Sequence, residues 1–247
     1  MDKSTIAWIV AYAYLAYVFI GQLPDLSSTL LFSLRASSVL LVVLYLFHSY
    51  LDFGWKNASK YLAVVFVVSY AVEFLGTKTG IHFGRYRYTG GLAPLLGPVP
   101  LIIPFLWASL GYFSLAAAGN YLVASVLMVL LDVSFDPRFS LSLWHWAVPG
   151  QYFGVPLSNF VGWFVTSLAL FGVFYLASRK RFEPSAPAIG FYFLLGVNNV
   201  IVDANSGLGV AGEISLILFA SASVLLYVAR RRHPVSPAKA RPPEVTN

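Results

Sequence analysis

Apolar residues run along this chain in blocks of about twenty, the length a helix needs to cross a bilayer core, and polar positions collect between the blocks. Read that way, the pattern predicts eight spans, at about 5–21, 29–48, 60–76, 98–117, 119–133, 157–177, 187–203 and 209–229. Only Gly119 and Asn120 part the fourth from the fifth, so seven is the alternative count across residues 98–133. Gly90 to Pro104 contains four prolines and reads as a loop entering a broken or late-starting helix. No internal repeat is evident. Residues 1–229 are expected to form one polytopic membrane domain, and 230–247 a basic, Pro-rich, disordered tail.

Charge fixes the parity. Lys56 and Lys60, then Arg179, Lys180 and Arg181, then Arg230 to Arg232, fall on one side only if the spans number eight. Cytoplasmic loops collect Lys and Arg, so both termini are predicted cytoplasmic. The loops 77–97, 134–156 and 204–208 then open on the opposite face, and they hold nearly all the unusual polar and aromatic residues.

Composition agrees with the pattern. The 247 residues are 58% hydrophobic and 11% charged, with mean hydropathy +0.74, against about 25% charged in soluble domains. The expected fold class is an all-α integral membrane protein, multi-pass in the cell membrane. Without cysteine there are no disulfides and no thiolate chemistry. The net charge of +6 sits in short clusters between apolar runs, which argues against a nucleic-acid partner. The N-terminus carries one Lys and enters an apolar segment directly, so no cleavable leader is expected.

The densest polar stretch is Glu73 to Thr89, EFLGTKTGIHFGRYRYT. Ionisable groups beside hydrocarbon face protein or water and default to a functional reading. On a helix Ser69, Glu73, Gly76 and Gly80 share one face, where small residues allow close helix approach and enclose the carboxyl. The alternative is a structural salt bridge from Glu73 to Lys78 or a loop arginine. Asp132 and Asp136 lie four apart; Pro137 disfavours helix at Asp136, so the fifth span is expected to end there. They could equally be interfacial carboxylates with an Asp-Pro turn. Trp144, Trp146 and Tyr152 suit an interfacial aromatic belt, and His145 could carry a proton or simply be a satisfied polar residue. Asn159, Trp163 and Thr166 share a face of the sixth span, where an amide is either interhelical glue or part of a polar site. Arg35 is expected to snorkel to the interface. Asn198, Asn199 and Asp203 make the seventh span polar, and Glu213 lies early in the eighth.

The four histidines are scattered and form no metal-ligand pair, so no metal is expected. There is no phosphate-binding glycine loop and no visible redox-cofactor motif. What remains is acid–base chemistry by carboxylates in an aromatic pocket, without a cofactor.

Four motifs occur in order: E-x-x-G-x-x-T-G-x-x-F-G-x-Y-x-Y-T (Glu73–Thr89), P-x-P-L-I-I-P-x-x-W (Pro98–Trp107), L-D-x-x-x-D-P (Leu131–Pro137), and W-x-W with Y-x-G-V-P-x-x-N-F-x-G-W (Trp144–Trp163). Over about residues 30 to 205 they resemble the membrane carotenoid-biosynthesis hydratase family, which includes bisanhydrobacterioruberin hydratases and carotenoid 1,2-hydratases. The resemblance implies addition of water across terminal isopropylidene bonds of an acyclic polyene, C50 or C40, giving tertiary alcohols. It implies Glu73 as the acid that protonates the alkene, and Asp132 or Asp136 as the base that takes a proton from water. Tyr86, Tyr88, Trp144, Trp146, Tyr152 and Trp163, with His145 and Asn159, would surround the substrate, aromatic faces holding the cation. Gly76, Gly80, Gly84, Arg85 and Pro137 would be structural parts of the motifs. Arg85 and Arg87 are expected to pair with carboxylates or lipid phosphates. The implied partners are a hydrophobic carotenoid, membrane lipid and other enzymes of the pathway. The rival readings are a transporter or channel, a non-catalytic carotenoid-binding protein, and a carotenoid cyclase.

Overall fold

The computed structural model describes residues 1–232 apart from 24, 25, 27 and 28. Helix α1 (Lys3–Ile20) starts where the Asp2 side chain accepts the Thr5 N–H at 2.8 Å. It is followed by α2 (Leu34–Thr79), α3 (Ile102–Ala118), α4 (Tyr121–Phe139), α5 (Leu157–Ser178), α6 (Ala186–Asn205) and α7 (Gly209–Arg232). By continuity these are seven helices, but α2 contains a reversal. Gly54 has φ 75° and ψ 162°, which no helix accommodates. Tyr45 and Tyr61 lie on either side of it with ring centroids 5.9 Å apart, whereas sixteen residues of straight helix would separate them by ~24 Å. Residues 34–53 and 55–79 are therefore two antiparallel limbs. Eight helical segments result among the described residues, each overlapping one of the predicted spans.

The narrow junction between the fourth and fifth predicted spans is a real break. Gly119 ends α3 in the left-handed region at φ 66°, its N–H bonded to Leu115 O at 2.8 Å. Asn120 then caps α4, accepting the N–H groups of Leu122 and Val123 at 2.9 and 3.1 Å. Two residues suffice because one stops a helix and the next starts one.

Five helices (α1, α2, α5, α6 and α7) are long and apolar enough to cross a membrane. Their outward faces carry Val43, Leu75, Leu176 and Leu225, all exposed, as lipid-facing positions should be. The shorter α3 is the central helix: 14 of its 17 residues are buried. Serine, glycine and alanine along it let α2, α4 and α6 pack closely around it.

The polar residues segregate to the two ends of the bundle. At one end Phe53 meets Phe182 at 5.6 Å, Lys180 lies over Phe53, Tyr121 donates to Lys180 O, and Arg230 Nε donates to Pro184 O at 3.2 Å. The Gly54 reversal, the α5–α6 loop and the end of α7 thus meet at the basic end. The aromatic loops meet at the other. Helix α7 continues through Arg232, and residues 233–247 of the expected tail lie outside the described residues.

Two features differ from the sequence reading. First, α4 does not stop at Asp136; it runs through Pro137 to Phe139. Proline has no N–H for the carbonyl four residues back, that of Val133. Here the Tyr152 hydroxyl donates to Val133 O at 3.2 Å and takes the place of the missing bond. Second, the loops of the aromatic end are not irregular. Strands β1 (Tyr86–Tyr88) and β4 (Trp144–Trp146) pair antiparallel, and β2 (Leu95–Leu96) and β3 (Val99–Pro100) form a short hairpin ahead of α3.

Candidate active site

The β1–β4 ribbon positions the aromatic residues. Tyr86 pairs with Trp146, Arg87 with His145, and Tyr88 with Trp144. Side chains alternate across a strand, so the four aromatic rings share one face and Arg87 and His145 share the other. Tyr86 and Trp146 are buried, whereas Arg87 and His145 are exposed. The Trp146 indole donates to Phe83 O at 2.9 Å, and Thr89 N–H bonds Leu143 O at 2.8 Å, which ties the ribbon to its flanks.

The aromatic face lies against Glu73 on the second limb of α2. Glu73 is 6% exposed. Its Oε2 accepts from the Tyr86 hydroxyl and, at 2.8 Å, from the Tyr88 hydroxyl; its Oε1 accepts from Trp107 Nε1 at 3.0 Å. Burial, and then the nearby carboxyl, push both phenols well above their ordinary range near 10, so they stay neutral. A hydroxyl can donate or accept, whereas an indole N–H only donates. A proton can therefore reside on Oε2 without losing any of these bonds, but not on the bond to Trp107.

Glycines bring these parts together. A Cβ on Gly76 would lie 2.9 Å from Phe83 Cδ2 and 3.3 Å from the Tyr86 hydroxyl, so the face beside Glu73 must be bare. Gly80 ends α2 at φ 76°, where the chain turns towards Arg85. Gly84 likewise has positive φ and lies against Ser158 and Pro156.

The second cluster joins α4 and α5. The Asn159 amide nitrogen donates to Asp132 Oδ1 and Oδ2 at 3.0 and 2.8 Å, and to Asp136 Oδ2 at 2.6 Å. All three side chains are buried. Because α4 persists through Pro137, both carboxyls project from one face, one turn apart. Trp163, a turn beyond Asn159, stacks on Trp107 with centroids 4.2 Å apart and planes at 28°. Trp107 thus bonds Glu73 by its edge and carries Trp163 on its face, linking the two clusters.

Glu73, Tyr86, Tyr88, Trp107, Asp136, Asn159 and Trp163 line a single cavity of about 500 Å³, which opens at the aromatic end. The lining also includes apolar side chains, Val18 of α1, Leu41 of α2 and Ile103, Leu106 and Leu110 of α3. A hydrophobic chain end could be held against these, beside the carboxyls.

The model for carotenoid biosynthesis proteins matches residues 31–228, which include every residue of both clusters. The chain belongs to the carotenoid biosynthesis protein family. A bisanhydrobacterioruberin hydratase of Haloarcula japonica is 30% identical over 125 residues, 45% of this chain and 42% of that protein. The chain thus matches less than half of that relative's length. No solved structure matches it.

In this family member the predicted residues fall into three groups. Glu73, Asp136, Tyr86, Tyr88, Trp144, Trp146, Asn159 and Trp163 line the cavity, and Asp132 lies directly behind Asn159. Two are placed elsewhere: His145 is on the outer ribbon face, bonded to Ser140 O at 2.9 Å, and Tyr152 supports α4 at Val133. The alternative salt bridge from Glu73 is not formed, and neither Arg85 nor Arg87 pairs with a carboxylate among the described residues. Glu73 bonds phenols and an indole, and Arg138–Asp203, at 3.0 Å, is the only salt bridge among the described residues. Arg85, Arg87 and Arg35 are exposed, and the Arg35 guanidinium donates to Gly91 O at 3.0 and 2.8 Å.

Nothing in the sequence pattern marks Trp107 or Arg138 as a site residue. Tryptophan in an apolar helix is an ordinary core residue by pattern; only its partner distinguishes it. The signal for β1 and β4 was present, as the strict alternation in RYRY and WHW has the period of a strand.

Proposed function

We propose that this chain is a carotenoid hydratase of the cell membrane. It adds water to a terminal isopropylidene double bond of an acyclic polyene and yields a tertiary alcohol. The observation that carries the reading is one cavity lined both by a hydroxyl-flanked carboxyl, Glu73, and by Asp136, which the Asn159 amide bridges to Asp132 behind it. The hydratase name of the Haloarcula japonica relative supports it.

In this reading the polyene end lies along the apolar side chains of the lining. Glu73, as the neutral acid, gives its proton from Oε2 to the CH carbon of the double bond. The C=C π bond breaks, a C–H bond forms, and positive charge appears on the dimethyl carbon. The faces of Trp144, Trp163, Tyr86 and Tyr88 stabilise that cation. Tyr86, Tyr88 and Trp107 are three ready donors to the carboxylate that the step leaves. Water held at Asp136 attacks the cation, a C–O bond forms, and Asp136 takes the released proton. Asn159 and Asp132 hold Asp136 in place. The proton returns to Glu73 through solvent at the cavity mouth, so the net reaction is alkene plus water to alcohol. The basic end of the bundle is cytoplasmic and the aromatic end faces the other side.

The test is expression in cells that accumulate lycopene or bisanhydrobacterioruberin. Products heavier by one or two waters are expected, and in heavy water one deuterium should appear on the carbon beside the new alcohol. An isomer of unchanged mass would indicate a cyclase. Unaltered polyene in both hosts would leave binding or transport.

A further inference from the structure

Resting on the hydration reading, we propose that Asn198 and Asn199 of α6 form a water-binding subsite that feeds the nucleophile to Asp136 along a path separate from the polyene wall. Both asparagines line the cavity. They are only 7% and 3% exposed, yet Asn198 Oδ1 and Asn199 Nδ2 have no hydrogen-bond partner in the protein. Buried amides without partners are rare, and a buried polar group of this kind is ordinarily satisfied by ordered water. Asn198 leaves an acceptor and Asn199 a donor, and water can serve either.

The surroundings fit water better than hydrocarbon. Towards the mouth the same wall continues through Asn205 and Ser206, which are exposed. Arg138 and Asp136 of α4 line the same cavity, and the Arg138–Asp203 contact sets the end of α4 beside this stretch of α6. Arg138 is held by Asp203 at 3.0 Å, and Asp203 Oδ2 is a further buried atom without a partner. Helices α6 and α4 thus contribute Asn198, Asn199, Asn205, Ser206, Arg138 and Asp136 to the lining, whereas α3 contributes Ile103, Leu106 and Leu110. The two reactants differ as much as reactants can in polarity. Separate lining residues let each enter without desolvating the other's contacts. Asn198 and Asn199 are positioning residues in this scheme, because they act through the water.

Separate entry makes an unusual kinetic prediction. Protonation by Glu73 does not need water in the subsite, but capture of the cation does. Without capture, the Glu73 carboxylate takes a proton back from the CH carbon: that C–H bond breaks, the C=C bond re-forms, and Glu73 is again the neutral acid. In heavy water each return that removes the original hydrogen leaves deuterium at the terminal CH carbon. The experiment supplies lycopene to membranes of the full-length chain in heavy water and measures both hydrated product and deuterium in recovered lycopene. Bisanhydrobacterioruberin serves if the wild type hydrates that instead. Asn198→Leu and Asn199→Leu keep side-chain volume and remove polarity, with alanine in place of leucine wherever that variant does not accumulate. Hydration is expected to fall at least tenfold while deuterium exchange persists, so the exchange-to-hydration ratio rises tenfold. Asn199→Ser, which keeps a hydroxyl, should hold the ratio within threefold of wild type. Parallel loss of exchange and hydration at a constant ratio would show a structural role and overturn the proposal, as would undiminished hydration. A wild type that neither hydrates nor exchanges either polyene removes the hydration reading itself, and the subsite with it.

Discussion

Tyr152 makes the carboxyl pair possible without touching it, and Tyr152→Phe isolates that contribution. The substitution leaves the ring and removes only the hydroxyl that donates to Val133 O, the carbonyl that Pro137 cannot serve. An unsatisfied buried carbonyl costs about 1–3 kcal/mol. Tyr152 is only half-buried, so water can partly replace the lost bond and about 1 kcal/mol is expected. In a chain of this size that lowers the melting temperature by about 2–4 °C. Pro137→Ala supplies the backbone N–H that α4 lacks, so in that background the tyrosine hydroxyl is redundant. There Tyr152→Phe should cost less than about 0.5 kcal/mol, a coupling of at least half the single-mutant effect. The assay is thermal unfolding of the four purified proteins in one detergent, followed by helix circular dichroism. An equal loss in both backgrounds would refute the account of how α4 tolerates its proline. Hydration should also fall in Tyr152→Phe and recover in the double variant, because the last turn of α4 carries Asp136.

Glu73→Gln should abolish hydration, by at least ~10²-fold if the carboxyl is the general acid, while the protein still inserts and retains bound polyene by visible absorption; full activity would shift the acid to Asp132 or Asp136. Gly162→Ala puts a Cβ 2.6 Å from Phe83 Cδ1 and 2.7 Å from His82 O, and a backbone carbonyl yields little. It should destabilise by about 1–3 kcal/mol, seen in the same unfolding assay, and an unchanged melting temperature would disprove the close approach of α5 to the 80–84 turn. Burial pushes the Tyr152 phenol up to about 12, above its ordinary value near 10. The folded state therefore favours the neutral phenol: its contribution is complete below pH 10 and is lost as pH rises towards 12. Stability measured across that range should decline less steeply in Tyr152→Phe than in wild type.

The helices were legible because a bilayer protein writes them in blocks of apolar residues, and the eight segments follow those blocks. Glu73, Asp132, Asp136 and Asn159 were legible for a related reason: polar groups in apolar helices need partners. Which partner each took was not. Glu73 could have met a lysine by sequence spacing, but it meets Tyr86, Tyr88 and Trp107, two of them placed by a strand pairing that joins residues sixty apart. Pro137 misled for a local reason. Its effect on the helix was read from the backbone alone, and the compensating hydroxyl lies fifteen residues later. His145 was grouped with its tryptophan neighbours, although in a strand adjacent residues face opposite ways.

That alternation also decides where positive charge goes. Arg87 and His145 are sequence neighbours of four residues that line the cavity, yet both are turned outward by the register of β1 with β4. A slip of one residue would exchange the two faces, bringing a guanidinium to the place where the proposed cation forms. At about 5 Å and an effective dielectric near 20, a full positive charge there would cost about 3 kcal/mol, which is more than a hundredfold in rate. Arg138, the one cation among the described residues that line the cavity, is neutralised by its ion pair with Asp203. The charged groups left facing the proposed cation are carboxyls. The Gly84 turn at φ 81° and the bond from Ala147 N–H to Arg85 O at 2.8 Å fix the ribbon register at its entry. Arg85 and Gly84 thus take part in the site by backbone, through the register that keeps the arginine side chains out of it.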